Sequence, residues 1–309
     1  MKRESILRII LIVLLLTSAA SILLSQQPAS GTVPVTVIAT VEAKHAKEIP
    51  NVYKQDVKVF HNQDRLDVTD WTPCQDPQAG VELFVLVDDA SDSQLALQFG
   101  DLKKFIQAQP QSTAIGIGYA RNGTVDTIQK FTQDHAQAAK ALRVPLGVTA
   151  VGSPYLSLTD LIKGWPQSGK CREVLMISSG IDYLQGGPND TYLQDAIDQA
   201  QRAAVEVNAI YAPAVGHAEH SFWRLNWGQN NLSELTDETG GEFYIQGLTS
   251  PIAFAPYLDQ FAVRLQHQFR LTFLAKPGNK ADFQRIRLET EVSNADLVTQ
   301  QSVYVPAAR

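Results

Sequence analysis

Residues 81–93, VELFVLVDDASDS, constrain the chain more than any other stretch. Residues 81–87 are a short run of mostly β-branched and large apolar side chains. That is the pattern of a strand buried on both faces, as in a parallel sheet. The run stops at oxygen-bearing side chains: Asp88, Asp89, Ser91, Asp92 and Ser93. Residues 94–107 then carry apolar positions at Leu95, Leu97, Phe99, Leu102, Phe105 and Ile106, a helical spacing. Strand, polar turn and helix open a βαβ unit, and sheets built from such units bind ligands at the carboxyl ends of their strands.

Within the turn, Asp89, Ser91 and Ser93 form Asp-x-Ser-x-Ser. One carboxylate and two hydroxyls alternating along a loop can converge on a point. Oxygen-only ligands suit a hard cation such as Mg²⁺, which retains waters and tolerates few carboxylates. The same residues also suit a helix start, with Ser93 as the N-cap.

The alternation continues. Residues 113–120 and 124–131 read as strands joined at the turn signal Asn122-Gly123. Residues 173–178, 205–212 and 242–245 are further strands. Helices are expected at 133–142, 155–165, 190–204 with Asp190 as cap, 232–238 ended by Gly240-Gly241, and 252–266. This order implies a mostly parallel sheet covered on both faces. Ahead of it, residues 33–42, 56–61 and 66–71 are short strand candidates. After Gln268 the pattern changes: 269–275, 283–292 and 297–305 alternate and read as antiparallel strands. They either pair with the N-terminal strands or form a separate β-tail.

On the Asp89-x-Ser91-x-Ser93 loop and this element order, the chain resembles a von Willebrand factor type A domain. Leu235-Thr236-x-x-Thr239-Gly240-Gly241 resembles that family's Thr-Gly-Gly segment before its last strand. The flanking β-segments resemble the exported bacterial VWFA-related proteins. The resemblance implies a doubly wound, mostly parallel, Rossmann-like α/β sheet over 80–267, with small β-rich segments at 33–73 and 268–309. It also implies a metal-ion-dependent adhesion site holding Mg²⁺, or Mn²⁺ or Ca²⁺. Asp89, Ser91 and Ser93 supply the first loop, and Ser153, with Thr149 as the alternative, the second. In the third loop Ser179 stands where the family has an Asp, which removes a carboxylate. Asp182 and Asp88 are the acids nearest in sequence that could compensate, though neither is at the matching place. In such a site a partner protein's Asp or Glu completes the coordination, which is recognition rather than catalysis.

Composition narrows the partner. A formal net charge of -6 argues against phosphate-driven nucleic-acid binding. Lys2, Arg3 and Arg8 precede an uncharged apolar run over 9–24, followed by small residues. Residues 1–25 thus read as a secretory signal or a retained N-terminal anchor, since a spanning helix needs roughly 20 apolar residues. Either reading puts the chain outside the cytoplasm, periplasmic or secreted, with membrane contact only if the segment is retained. Export permits a disulfide. Cys74 and Cys171 each precede an apolar strand, and those strands are neighbours in a doubly wound sheet, so a Cys74–Cys171 bridge is expected.

His217, His220 and Trp223 follow the strand at 205–212 and are candidate partner contacts. The two histidines are three residues apart, so they are not the zinc-protease motif. For the aromatic group Phe222, Trp223 and Trp227, core packing or a lid is the other reading. No Gly-x-Ser-x-Gly elbow or phosphate loop is present in the sequence. The function expected is an exported, adhesion-like protein-binding module and not an enzyme. The alternatives are a periplasmic metal-dependent hydrolase and a structural domain with a decayed metal site.

Overall fold

The computed structural model describes residues 31–45, 47–77, 79–185, 187–216, 221–245 and 253–308. The expected signal or anchor at 1–25 and the candidate contacts His217 and His220 lie outside the described residues. Among the described residues, no helix is long and apolar enough to cross a membrane.

The 81–87 run is the centre of a six-stranded sheet. In it β4 (Val81–Asp88) lies between β5 (Thr113–Arg121) and β7 (Cys171–Ser178), parallel to both. The full order is β6-β5-β4-β7-β8-β9, with β8 (Val205–Tyr211) and β9 (Phe243–Tyr244) parallel to their neighbours. Only β6 (Thr124–Thr132) runs antiparallel, because the Asn122-Gly123 turn folds it straight back on β5.

Period-two alternation sends β4 side chains to two cores. Leu83, Val85 and Val87 pack with α1 (Phe99–Gln107), α2 (His135–Lys140) and α6 (Ala255–Gln266). Phe84 and Leu86 pack with α3 (Pro154–Gly164), α4 (Thr191–Ala203) and α5 (Phe222–Thr239). Each large apolar side chain buried this way contributes about 2 kcal/mol. Asp190 caps α4, accepting the Tyr192 and Leu193 amides. Gly240, at φ 84°, ends α5 in the left-handed region that glycine adopts most readily.

The flanking strands form one antiparallel sheet. Its order is β12-β2-β3-β10-β1-β13, built from β1 (Val33–Ala43), β2 (Val57–His61), β3 (Asp64–Pro73), β10 (Gln268–Ala275), β12 (Arg287–Thr290) and β13 (Ala295–Thr299). β10 sits between β1 and β3, so the chain after the α/β unit threads into the sheet begun before it. The stretch 283–292 splits at Ile286, whose amide goes to the Gln301 carbonyl. One part, β11 (Asp282–Arg285), pairs with β14 (Ser302–Val305), and β12 pairs with β2.

Two ties join the halves. Cys74 and Cys171 are disulfide-bonded, their Cα atoms 5.8 Å apart. Arg264 of α6 bonds Glu206 of β8 at 3.0 Å, Glu42 of β1 and the Gly240 carbonyl. The Arg264 guanidinium is thus partnered across both units, as a buried charge requires, while Glu206 Oε2 is left without a donor.

Candidate functional site

The Asp89 loop closes the carboxyl end of β4. The Asp89 amide extends the ladder to the Ala120 carbonyl, and Ser91 makes an isolated bridge with Ala214 beyond β8. Residues 94–98 are not α-helical: a 3₁₀ turn, Ser93–Gln98, precedes α1. Its cap is Asp92, whose carboxylate accepts the Gln94 amide at 2.7 Å, and not Ser93, which is exposed.

Asp89 is fully buried and both its oxygens are engaged. Arg143, from the loop after α2, donates Nη1 to Oδ1 at 2.7 Å and Nη2 to Oδ2 at 2.9 Å. The Leu146 amide adds a bond to Oδ1 at 2.9 Å. Asp89 also presses Arg143 upward in pKa through these hydrogen bonds.

The other expected ligands are likewise engaged or set apart. Ser153 is the N-cap of α3, accepting the Leu156 amide. Ser179 accepts the Ile181 amide, and Thr149 donates to the Leu146 carbonyl. Asp182 Oδ1 accepts the amides of Leu184 and Gln185. Asp88 accepts from Ser178 Oγ at 2.7 Å and from the Ala90 amide, and burial pushes its carboxyl up to about 6. Ser91 Oγ and Asp182 Oδ2 are buried without a partner.

A divalent cation at this loop would need Asp89 as its one first-loop carboxylate. That carboxylate is neutralised by a guanidinium and covered by the Arg143–Leu146 backbone, and the third loop offers a neutral Ser179. The Ser91 hydroxyl does not offset this, and Asp182 is turned to Asp190, so the donor set as folded does not fit a hard dication. Among the described residues there is no group of three or more His, Cys, Asp or Glu side chains able to hold a metal.

Arg143 and Tyr119 were not visible as site residues in the sequence. Arg143 sits in an unmarked loop, ALRVPLG, far along the chain from Asp89. The one available signal was indirect: replacing the third-loop acid by Ser179 lowers the negative charge the site must balance.

The rim around this loop is apolar. Seven of the eleven exposed large apolar side chains among the described residues lie at the carboxyl ends of the parallel strands. Val144, Leu146, Val148 and Val151 come from the loop before α3, Leu184 from the loop after β7, and Phe222 and Trp223 from the first turn of α5. Trp223 is 66% exposed and sits edge-to-face on Phe222 at 5.8 Å, so this pair is not core, contrary to the packing reading of the aromatic group.

No family model and no curated protein matches the sequence. Solved structures similar to the chain include an aerotolerance-related membrane protein from Bacteroides fragilis: 14% identity and TM-score 0.43, over 60% of this chain and 98% of that one. Another is the vWF domain of the type V pili tip protein Mfa5 from Porphyromonas gingivalis, at 11% identity and TM-score 0.43, over 60% and 94%. A third is proximal thread matrix protein 1 from the mussel byssus with a zinc-occupied MIDAS motif, at 11% and 0.42, over 65% and 49%. The α/β unit resembles a von Willebrand factor A domain in its fold. The resemblance lies in the strand order with antiparallel β6 at the edge, and in the Asp-x-Ser-x-Ser loop at the end of central β4.

Proposed function

We propose that this protein is an exported, adhesion-like binding module that docks a protein partner on the loop rim above β4, β7 and β8. The observation that carries this reading is the gathering of exposed apolar side chains on that rim, with the Phe222–Trp223 pair at its edge. Exposed apolar patches of this kind mark interaction surfaces, and aromatic side chains anchor them. Export is supported by the basic-then-apolar start of the sequence and by the Cys74–Cys171 bridge, which persists only in an oxidising compartment. At the centre of the rim Asp89 is held by Arg143 and Asp88 by Ser178 and the Ala90 amide, which fixes the shape of the surface.

The test is affinity capture from the exported fraction of the producing cells. The wild-type chain is compared with a Phe222→Ser/Trp223→Ser variant and with Val263→Ser, an exposed apolar position on α6. A defined partner retained by wild type and Val263→Ser, and lost with the double variant, is the expected outcome. Equal capture by all three contradicts the reading.

A further inference from the structure

We infer that Arg143 is the resident cation of this site: its guanidinium holds the place toward Asp89 that a divalent ion would need, so the rim is assembled without metal. This bears on the rim proposed above as a docking face, but its evidence and its test involve no partner.

The bidentate pairing of Arg143 with Asp89 uses both carboxylate oxygens and is the geometry a guanidinium matches best. The Arg143 side chain is also built into position. Its backbone N–H donates to the Tyr119 hydroxyl at 2.6 Å, and that hydroxyl donates in turn to the Arg143 carbonyl at 2.7 Å. Tyr119 is fully buried on β5, beside Val87 of β4. Its ring face lies 3.8 Å from the guanidinium carbon, a cation–π contact. Nη1 adds a bond to the Val144 carbonyl, and Nη2 lies 3.6 Å from Asp126 on β6. The guanidinium thus ties the β4 loop, β5, β6 and the 143–147 loop together.

Charge counting agrees. Of the Asp-x-Ser-x-Ser residues only Asp89 is a carboxylate, Ser179 adds none, and the neighbouring Asp88 is held by Ser178 and the Ala90 amide. One guanidinium balances one carboxylate, whereas a dication placed there as well would stand against a fixed positive charge at short range. To bind, an ion would have to displace an intramolecular cation already held by two charge-assisted bonds, an aromatic face and a clamped backbone. Arg stays protonated at all working pH values, so its positive charge at the site is fixed.

The test is direct. The ¹⁵N-labelled full chain is stripped with EDTA, dialysed and titrated with MnCl₂ into the millimolar range, while the amide signals of Leu146 and Gly147 are followed. Both amides bond to Asp89 and so report on any ion there. The expected result is no saturable broadening of these two signals, and a melting temperature unchanged between EDTA and MgCl₂. Broadening that develops only at residues remote from Asp89 is also the expected result, since it puts any bound ion elsewhere. Saturable broadening centred on Leu146 and Gly147, reversed by EDTA, would overturn the inference, whatever the capture experiment finds.

Discussion

At the scale of single residues, the rim contains a second pair of acids whose chemistry is distinct from that of Asp89. Asp182 and Asp190 meet side chain to side chain, and each leaves its Oδ2 buried without a donor. Burial first, and then the Asp182 charge, pushes Asp190 up to about 6. A carboxyl raised on folding adds stability that is fully present below its unfolded value, near 3.8, and lost as pH rises through about 6. At neutral pH the pair therefore opposes folding. Asp182→Asn keeps an oxygen for the Leu184 and Gln185 amides and offers an Nδ2 donor to Asp190. The variant should be more stable than wild type by about 1 kcal/mol at neutral pH, allowing for solvent screening. The gain should shrink towards about pH 4. Urea midpoints at the two pH values check this, and a gain independent of pH would show that the pair is not the cause. Asp89 could be found in the sequence because its signal is local, five residues at the end of an apolar run. Arg143 could not, because its pairing with Asp89 passes through the β4–β5 ladder and a Tyr119 clamp that no short window contains.

At the scale of elements, α5 decides how the rim presents its aromatics. The sequence marks a helix only at 232–238, whereas α5 runs Phe222–Thr239 with Ser221 as its cap. The first half escapes a periodicity reading because Phe222 and Trp223 face solvent and Asn226, Gly228 and Asn230 interrupt the apolar stripe. What holds that half is a close backbone crossing. A Cβ on Gly228 would lie 2.5 Å from the Ser179 carbonyl oxygen, and one on Gly180 would lie 2.1 Å from the Gly228 oxygen. An exposed helical glycine gains up to about 1 kcal/mol on becoming alanine. Here the clash should prevail, and Gly228→Ala should lower stability by about 2 kcal/mol while shifting the Trp223 fluorescence. Denaturation monitored at Trp223 reads both effects. A raised melting temperature would mean that the crossing does not constrain α5.

At the scale of the whole molecule, the α/β unit is carried on a β-sheet made from both ends of the described chain. The alternating pattern after Gln268 identified strands but not their partners, because antiparallel pairing between residues more than 200 positions apart leaves no local trace. The parallel sheet was legible because each βαβ step repeats the same local punctuation. The Cys74–Cys171 bridge closes a 97-residue span and stabilises the union by about 4.7 kcal/mol on a chain-entropy estimate. The β-sheet and the disulfide lie at the amino ends of the parallel strands, which leaves the opposite rim free for a partner. The most direct measurement places a photo-crosslinking amino acid at Val148, at Trp223 and, as a control, at Val263, each with and without EDTA. One and the same partner joined from Val148 and Trp223 and not from Val263 is the predicted result. Crosslinks from Val263 alone, or rim crosslinks that vanish in EDTA, would contradict a metal-independent docking rim.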